Sequence, residues 1–339
     1  MSDLSIAILN YNGERHLKNY LPSVLQYSDT YTVIVIDNAS TDGSVEFLEN
    51  HYPEIELIRF ETNHGFCGGY NLALALIKSK YVVLLNTDVE VSANWISPVL
   101  NYLKQNSNVK AAQPKILDQK LKTHFEYAGG AGGFLDTMAY PFCRGRIFET
   151  LEEDKGQYDN IARISWASGS CLFIERKTFI ELGGLDEHFF AHMEEIDLCW
   201  RIWNAGYEVA AVPTSKVYHL GGGTLNKSSP YKTYLNFRNG LSLLLKNEFL
   251  HHLIWKLPLR LLLDWTAILK FSIQSGPAHG LAIVKAHFDF FRGSFHTFRR
   301  RSKIFNEQRP YLKGLLASSY FLMKKKSFKD YEKDLTEFN

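Results

Sequence analysis

Apolar and polar stretches alternate along the first third of the chain with the spacing of strands and helices. Short apolar runs are each followed by a polar loop and then by a segment of helical periodicity, which suits strands covered on both faces of a parallel sheet. The predicted strands are Leu4–Leu9, Thr32–Ile36, Ile55–Phe60 and the five-residue apolar run that begins the stretch Tyr81–Val91 and leads to Asn86, Thr87 and Asp88. The predicted helices are Glu14–Gln26 with Pro22 as an interruption, Ser44–Asn50 and Leu72–Lys78. This alternation predicts a parallel, three-layer α/β domain with right-handed crossovers.

Two further strands and one further helix are predicted in the middle of the chain: Cys171–Ile174, Glu208–Val212 and Arg176–Leu182. The segment 111–166, which precedes these three elements, does not continue the alternation of strands and helices and contains a glycine-rich stretch. Loops of this length inside compact domains are usually lids or binding loops, and a flexible surface insertion is the alternative. Arg144 and Arg146 favour contact with an anion, because guanidinium groups suit phosphate oxygens.

Composition excludes several classes of function. A formal net charge of +2 over 339 residues gives no reason to expect nucleic acid as a partner. The four cysteines are scattered without a C-x-x-C pair, which argues against a zinc knuckle or a disulfide framework and fits a reducing cytosol. The first residues have neither a basic region nor an apolar leader, so secretion is not expected. The G-x-G-x-x-G turn of dinucleotide-binding domains is absent after the first strand.

Candidate chemistry lies at the ends of the predicted strands. Asp88 stands where its strand leaves the sheet, and open α/β sheets bind ligands beyond the carboxyl ends of their strands, so Asp88 can hold a cation against a ligand. The alternative is an Asp that begins a turn before Trp95. His219 follows the last predicted strand and precedes Gly221–Gly223. Most lone histidines are core residues, but a histidine at a strand end before a glycine triplet is a better candidate for a metal ligand.

Three acids occur within four positions at the start of a predicted helix: Glu194, Glu195 and Asp197. Large apolar residues flank them, so they are costly to bury unless the protein uses them. The alternative is a cluster that stabilises the positive end of the helix dipole.

Seven motifs in order resemble the family-2 nucleotide-sugar glycosyltransferases of the GT-A fold, and look closest to its bacterial, rhamnosyltransferase-like branch. They lie at Val35–Ser44, Asn63–Asn71, Leu84–Val89, Ser168–Cys171, Gly184–Phe190, Glu194–Arg201 and Tyr218–Thr224. The resemblance implies an α/β/α fold with a mostly parallel central sheet. It implies a catalytic domain over residues 1–247, followed by a helical extension over residues 248–339.

The resemblance also implies a donor site for a nucleotide-diphospho-sugar. Asp37 would accept a hydrogen bond from the imide N–H of uracil or thymine. Arg238 would hold the diphosphate by charge and fork geometry, or would merely solvate a helix end. The other residues that would surround the nucleoside and the diphosphate are Leu9, Tyr11, Asn38, Asn63, Gly65, Phe66, Asn86 and Thr87.

Asp88 matches the metal-binding Asp of the family, and His219 matches a residue that completes the metal site in some relatives. With diphosphate oxygens and waters they would form a mixed oxygen and nitrogen shell for Mn²⁺ or Mg²⁺. Asn86 stands where the family often has a second Asp, so we expect a less negative site with lower metal affinity.

Glu195 matches the catalytic base of the family, which is usually Asp, with Glu194 and Asp186 as substitutes. Packing against apolar neighbours is expected to raise its pKa towards neutrality. Asp197 is expected to anchor the helix. The residues predicted to contact the acceptor are Trp166, Ser168, Gly169 and Glu195.

The activity that the resemblance implies is an inverting, metal-dependent transfer from a UDP- or dTDP-sugar, with dTDP-rhamnose favoured. The acceptor would be a hydroxyl of a cell-surface polysaccharide or lipid-linked glycan. A nucleotidyltransferase is disfavoured, because Tyr11–Glu14 is not a glycine-rich basic loop. The second hypothesis is a catalytically inactive module of the same fold that binds a glycan or a membrane partner.

After Asn247 the motifs end and a basic, apolar region begins. Leu253–Ile273 is rich in Leu, Ile, Trp and Phe, but four charged residues and Pro258 interrupt it. No uncharged run reaches the roughly 20 residues of a membrane-spanning helix. Basic and apolar faces suit helices in the interface of an anionic membrane, so the enzyme is expected in the cytoplasm, peripheral to the inner membrane face. The alternative is an appendage with solvated charges that packs on the catalytic domain or forms a dimer.

Overall fold

The computed structural model describes residues 3–28, 30–221, 229–306 and 308–336. Gly222–Thr224, the end of the last predicted motif, lie outside the described residues. A mixed nine-stranded sheet forms the centre of the molecule. Its main path, in spatial order, is β11 (Ala162–Arg163), β13 (Glu208–His219), β6 (Val109–Asp118), β12 (Cys171–Glu175), β4 (Tyr81–Asn86), β1 (Leu4–Asn10), β2 (Thr32–Asn38) and β3 (Glu56–Phe60). The ninth strand, β5 (Val89–Val91), pairs with β13.

Most strands of this sheet run in one direction, because β3, β2, β1 and β4 are parallel neighbours and β13 is parallel to β6. The strand β12 runs against both β4 and β6 and joins the two parallel groups. The predicted α/β class with a mostly parallel sheet is therefore confirmed.

Helices cover both faces of the sheet and complete three layers, and the helices α8 and α9 pack on α7. In chain order the helices are α1 (Glu14–Gln26), α2 (Ser44–His51), α3 (Gly65–Leu76), α4 (Ser97–Gln105), α5 (Arg176–Glu181), α6 (Glu194–Asn204), α7 (Pro230–Asn247), α8 (Leu250–Gln274), α9 (Pro277–Arg299) and α10 (Leu316–Phe321). Successive residues of each buried strand point to opposite faces. Ile6 and Ile8 accordingly lie in the core beneath α1 and α4, whereas Ala7 lies in the core beneath α3 and α6.

Three helix predictions need correction. Both α1 and α8 continue through Pro22 and Pro258, although an internal proline costs about 3 kcal/mol. Burial of Leu17, Leu21 and Val24 against the sheet offsets this cost in α1.

The helix α3 begins at Gly65, seven residues before the predicted start at Leu72. Its glycines suggest a loop because glycine is a poor helix former. Gly69 is required by packing instead, since a Cβ there would lie 2.7 Å from Leu9 Cδ1.

The strand β13 extends seven residues beyond its predicted end at Val212. The extension pairs with β5, with His219 opposite Val89. This pairing brings His219 next to Asp88, so the longer strand builds part of the site.

The segment 111–166 is neither an open lid nor a flexible insertion. It contains a small antiparallel sheet of β7 (Gly133–Leu135), β8 (Pro141–Cys143), β9 (Arg146–Ile147) and β10 (Thr150–Leu151). Phe134 and Phe142 pack against Phe328 near the C-terminus, with ring centres 5.1 and 6.0 Å from the Phe328 ring. Residues on both sides of position 247 therefore share one hydrophobic core.

The anion contact predicted for Arg144 and Arg146 finds no support, because both side chains are buried. Arg144 donates to the backbone and side-chain oxygens of Asn160, and Arg146 lies 4.4 Å from the Tyr127 ring centre.

Three of the four Lys, Arg and Asp side chains of α8, those of Lys256, Arg260 and Asp264, are buried and paired, contrary to the expectation of solvated charges, whereas Lys270 is partly exposed. Asp264 Oδ1 accepts hydrogen bonds from Tyr140 Oη at 2.6 Å and from Arg260 Nε at 3.2 Å. Lys256 Nζ lies 2.5 Å from Glu248 Oε2. Among the described residues, no helix combines the length and the apolar character needed to cross a membrane.

The Asp264 network gives a stability prediction. Asp264→Ala leaves the buried Arg260 guanidinium without its carboxylate, and we expect the free energy of unfolding in urea to fall by about 3 kcal/mol. Lys285→Ala removes an exposed charge from α9 and should change stability by less than about 0.5 kcal/mol. Equal effects of the two substitutions would contradict a stabilising role for this network.

Candidate active site

Polar side chains meet where four strands end at one edge of the sheet. In the parallel register, Asn10 lies beside Asp37, Leu9 beside Asn86, and Asn38 beside Phe60. Carboxyl ends of parallel strands share one edge, so these residues form one continuous surface. This surface contains Leu9, Asp37, Asn38 and Asn86, four of the residues predicted to bind the donor.

Asp37 is buried, and the protein fixes its orientation. Its Oδ1 accepts a hydrogen bond from Asn10 Nδ2 at 3.3 Å, and its Oδ2 accepts one from the Ser40 backbone N–H at 3.1 Å. Each carboxylate oxygen can accept a further bond, so Asp37 can still receive an imide N–H. The sequence analysis missed Asn10, although a polar residue that closes a buried strand was the available signal.

The loop before α3 is tied to the end of β2 by a pair of amides. Asn38 Nδ2 donates to Asn63 Oδ1 at 2.9 Å and to the Gly65 carbonyl at 3.0 Å, and Asn63 Oδ1 also accepts the Gly65 N–H at 2.7 Å. These bonds place Phe66, whose ring lies edge-on to Tyr70 with centres 5.0 Å apart. Tyr11 is 52% exposed beside this surface and is free to cover a bound base.

Asp88 and His219 are in direct contact. His219 Nε2 lies 3.2 Å from Asp88 Oδ1, a separation that two ligands of one divalent cation have. His219 Nδ1 lies 3.5 Å from Glu126 Oε1. A carboxylate behind a metal-ligating histidine orients the ring and raises its basicity, so Glu126 is a supporting residue that the sequence analysis did not find.

The pKa values of this pair reflect their contact. Burial disfavours the imidazolium, but the carboxylates of Glu126 and Asp88 outweigh burial and raise the pKa of His219 to about 10. Burial alone would raise the pKa of Asp88, but the hydrogen bond and charge of His219 lower it below its ordinary value.

The donor set fits a hard divalent cation that completes its shell elsewhere. No group of three or more His, Cys, Asp and Glu side chains is arranged to hold a metal by itself within the described ranges. Asp88 and His219 provide two ligands, and Asn86 and Thr87 are the half-buried polar residues before Asp88. Diphosphate oxygens and water suit the remaining positions.

The first turn of α6 carries two acids that each have one buried carboxylate oxygen without a hydrogen-bond partner. The Oε2 atoms of Glu194 and Glu195 are buried and have no hydrogen-bond partner within the part of the chain that the structure describes. Burial, followed by the charge of Glu195, raises the pKa of Glu194 well above its ordinary value. Burial also raises the pKa of Glu195 to about 7. A carboxyl poised near neutrality suits proton transfer.

The other two acids of this region are neutralised. Asp197 lies 2.8 Å from both Arg201 Nε and Lys246 Nζ. Burial opposes ionisation of Asp197, but these cations outweigh it and lower the pKa to about 2. Asp186 lies 2.6 Å from Lys246 Nζ and 2.8 Å from Arg300 Nη1. Asp186 is thus a poor substitute for the base, which corrects that prediction.

The loop before α6 has a strained backbone. Phe190, His192 and Met193 have φ values of 65°, 67° and 77°, in the left-handed region that non-glycine residues seldom adopt. The side-chain amide of Asn239 on α7 donates to the carbonyls of Phe189, Ala191 and His192 at 2.8–2.9 Å. The amide holds the loop in the conformation that starts the helix at Glu194.

Arg238 supports the same loop. Its Nη2 donates to the His188 and Phe189 carbonyls at 3.0 Å, and its Nε donates to Asn239 Oδ1 at 2.9 Å. This use of the guanidinium gives no support to the predicted contact with the diphosphate. Arg238 is a positioning residue in this arrangement.

The predicted acceptor residues divide into two groups. Trp166 and Ser168 are buried, with Trp166 Nε1 donating to the Phe134 carbonyl at 2.9 Å and Ser168 Oγ to the Ala128 carbonyl at 2.7 Å. Direct contact with an acceptor is therefore wrong for both. Gly169 is partly exposed, and a Cβ built there would lie 3.6 Å from Glu195 Cβ and 3.8 Å from the Phe66 ring. Gly169 thus lies between the base candidate and the donor surface.

Comparison with known proteins agrees with this arrangement. Residues 5–162 match the family model described as Glycosyl transferase family 2. The low-salt glycan biosynthesis hexosyltransferase Agl10 of Haloferax volcanii is 26% identical over 247 residues, covering 70% of this chain and 74% of that protein. An N-acetylglucosaminyl-diphospho-decaprenol L-rhamnosyltransferase of Mycobacterium tuberculosis is 26% identical over 231 residues, covering 64% and 75%.

A solved structure of GalNAc-T7 with UDP, GalNAc and Mn²⁺ has the same fold, with a TM-score of 0.56 and 18% identity. It aligns with 86% of this chain and with 56% of that longer chain. The fold is thus that of the GT-A type. The resemblance to family-2 glycosyltransferases is confirmed over residues 5–162, and the relatives, which are named as a hexosyltransferase and a rhamnosyltransferase, support an enzyme rather than an inactive module.

The Asn239 contacts give a prediction about positioning. Asn239→Asp keeps the size of the side chain but removes the N–H donors, so the strained loop should relax and displace the start of α6. We expect kcat to fall by about 10²-fold, with nucleotide affinity unchanged in calorimetry. Asn236→Asp, the same change one turn earlier on α7, is the control. A loss of nucleotide affinity in Asn239→Asp would contradict a role confined to the loop.

Proposed function

We propose that this protein transfers a sugar, rhamnose in the favoured case, from a dTDP- or UDP-linked donor to a hydroxyl of a glycan acceptor, with inversion at the anomeric carbon. One observation carries the proposal. The segment 168–170 connects the Asp88–His219 pair to Glu195, because the N–H of Asn86, two residues before Asp88, donates to the Ser170 carbonyl at 3.0 Å and a Cβ at Gly169 would lie 3.6 Å from Glu195 Cβ.

The nucleotide half of the proposal rests on Asp37. A fixed carboxylate selects a base with an imide N–H, which uracil and thymine have and cytosine lacks. The fold relative GalNAc-T7 was solved with UDP, which supports a pyrimidine nucleotide here. The L-rhamnosyltransferase named above supports rhamnose as the sugar.

Asp88 and His219 would hold Mn²⁺ or Mg²⁺ against the diphosphate, and Glu126 would hold the His219 ring in place. When bound, the cation supplies Lewis-acid stabilisation of charge on the departing nucleoside diphosphate. The presence of Mn²⁺ in the GalNAc-T7 structure supports a divalent cation. Asn86 leaves one carboxylate in this motif, so the affinity for the cation should depend strongly on the diphosphate.

Glu195 is the proposed base. Its carboxylate takes the proton of the acceptor hydroxyl, whose oxygen forms the new bond to the anomeric carbon. The bond from that carbon to the diphosphate breaks, and its electron pair leaves with the nucleoside diphosphate. Attack from the side opposite the leaving group inverts the configuration. Glu194 lies deeper and is the alternative base.

The acceptor is proposed to be a lipid-linked glycan or a growing surface polysaccharide. The relatives support this class, since their names refer to a diphospho-decaprenol substrate and to glycan biosynthesis. A lipid-linked acceptor places the reaction at a membrane surface. The cytoplasmic side of the inner membrane, where nucleotide sugars are the donors, remains part of the proposal.

Nucleotide selectivity tests the donor site. In calorimetric titration, UDP or dTDP should bind in the presence of Mn²⁺, whereas CDP and GDP should bind at least about tenfold more weakly. Asp37→Ala should remove this preference. Asp88→Ala should instead remove the dependence on Mn²⁺ and keep the preference for uracil or thymine. Equal binding of CDP and UDP would overturn the role of Asp37.

Substitution of the two glutamates tests the base. Glu195→Gln should lower kcat by at least about 10²-fold while UDP or dTDP binding persists, since a neutral amide cannot accept the proton. Glu194→Gln is the matched control and should retain more activity. The base must be ionised, so kcat/KM should fall as the pH is lowered through about 7. Full activity of Glu195→Gln would contradict the assignment.

A further inference from the structure

The helix α8 presents apolar side chains to solvent and buries three of its four Lys, Arg and Asp side chains. Lys256, Arg260 and Asp264 are buried against the rest of the protein. The opposite face carries Ile254, Leu262, Trp265, Leu269 and Ile273, with Ile254 79% and Ile273 84% exposed. This polarity is the reverse of that on a surface helix of a water-soluble protein.

The neighbouring helix α9 also presents an apolar face to solvent. Its buried face is mixed, with His279, His287 and Thr297 beside Ile283 and Phe290, and its exposed face carries a regular apolar stripe. That stripe consists of Leu281, Val284, Phe288, Phe291, Phe295 and Phe298. Isolated exposed apolar residues are ordinary, but stripes along two adjacent helices form a patch of the size that marks an interaction site.

A third segment extends this surface. Phe321, Leu322 and Met323 are exposed, and the Phe321 ring centre lies 3.6 Å from Lys270 Nζ on α8. Lys324–Lys326 follow directly. The apolar surface therefore extends from α8 to Phe321–Met323, and a short run of lysines borders it.

The exposed charges around the surface are mainly positive. Lys285, Arg292, Arg299 and Lys303 are exposed along or just after α9. The two acids of α8 and α9 offset them only in part, since Asp264 is buried and Asp289, which accepts a hydrogen bond from Tyr234 at 2.8 Å, is the single partly exposed carboxylate of the two helices. A two-fold contact between copies of this face would bring like charges together, whereas an anionic bilayer neutralises them.

We propose that the α8–α9 face docks on an anionic phospholipid bilayer. The helices lie in the plane of the interface, with their apolar stripes among the upper acyl chains and their basic side chains at the headgroups. This inference goes beyond the proposed function, because it requires neither a donor nor an acceptor.

Docking of this face would also position the active site. Arg300 at the end of α9 pairs with Asp186 at 2.8 Å, and the His296 ring centre lies 5.5 Å from that of His188. Both partners belong to the segment that leads into α6 and Glu195. A bilayer beneath α9 would therefore lie beside the entrance that a lipid-linked acceptor must use.

Vesicle flotation of the full chain tests the proposal. The protein should float with phosphatidylcholine vesicles that contain about 30% phosphatidylglycerol, and bind pure phosphatidylcholine at least about tenfold more weakly. Leu269→Asp combined with Phe288→Asp should reduce flotation by at least about tenfold, because both carboxylates would enter the apolar layer. Leu72→Asp places the same charge on an exposed leucine of α3 and is the matched control.

Tryptophan fluorescence tests the orientation. Trp265 is 65% exposed on the proposed face and Trp255 is partly exposed nearby, whereas Trp95, Trp166, Trp200 and Trp203 are buried in the protein. Lipids with a doxyl quencher on the upper acyl chain should quench the emission of the bound protein. Trp265→Phe should remove most of that quenching and leave flotation unchanged.

Flotation that is absent, or that persists in the Leu269→Asp and Phe288→Asp double variant, would overturn the proposal. A concentration-dependent dimer that this double variant abolishes, without vesicle binding, would assign the face to a second copy of the chain instead. Calorimetry of UDP and dTDP in the absence of vesicles reports on the donor site separately. Failure of membrane docking and failure of the proposed activity are thus distinguishable.

Discussion

The buried ammonium group of Lys246 is the interaction on which the catalytic half of the site depends. It lies within 2.8 Å of both Asp186 and Asp197, and so joins α7, α6 and the segment before α6. Removing a shared partner of two buried carboxylates is strongly destabilising, because it leaves charge uncompensated in the core. The same contact decides the chemistry. With Asp186 and Asp197 paired to cations, Glu194 and Glu195 are the acids of the first turn of α6 left to exchange protons.

The donor half is built differently, from the backbone register of the sheet. Parallel pairing fixes Asn10 beside Asp37, and the β5–β13 pairing fixes His219 beside Val89. Side-chain hydrogen bonds then orient each group. The two halves meet at Gly169, where a Cβ would lie within 3.8 Å of both Phe66 and Glu195. The sheet thus fixes the proposed donor residues, and α7 fixes the start of the helix that carries the proposed base.

The parts of this architecture that could be predicted from the sequence are those encoded locally. Apolar runs define the strands, and polar residues at their ends mark Asp37 and Asp88, because strand direction alone places them at one edge. Glu126 could not be found in this way, since its role depends on His219, which lies 93 positions later in the chain. The inverted polarity of α8 was hidden for the same reason. Asp264 is buried where it accepts a hydrogen bond from Tyr140, and Tyr140 lies on a segment that the sequence pattern predicts to be a loop.

The left-handed backbone at Phe190, His192 and Met193 limits how this enzyme can diversify. Branching at Cβ makes such conformations especially costly, so Val, Ile and Thr are poorly tolerated at these three positions. The loop nearest to the base can therefore vary in side-chain length and polarity more easily than in shape. New acceptor specificities in this lineage should arise mainly from neighbouring surfaces, such as the exposed ring of Tyr231, whose centre lies 6.3 Å from that of Phe190, while the loop keeps its conformation.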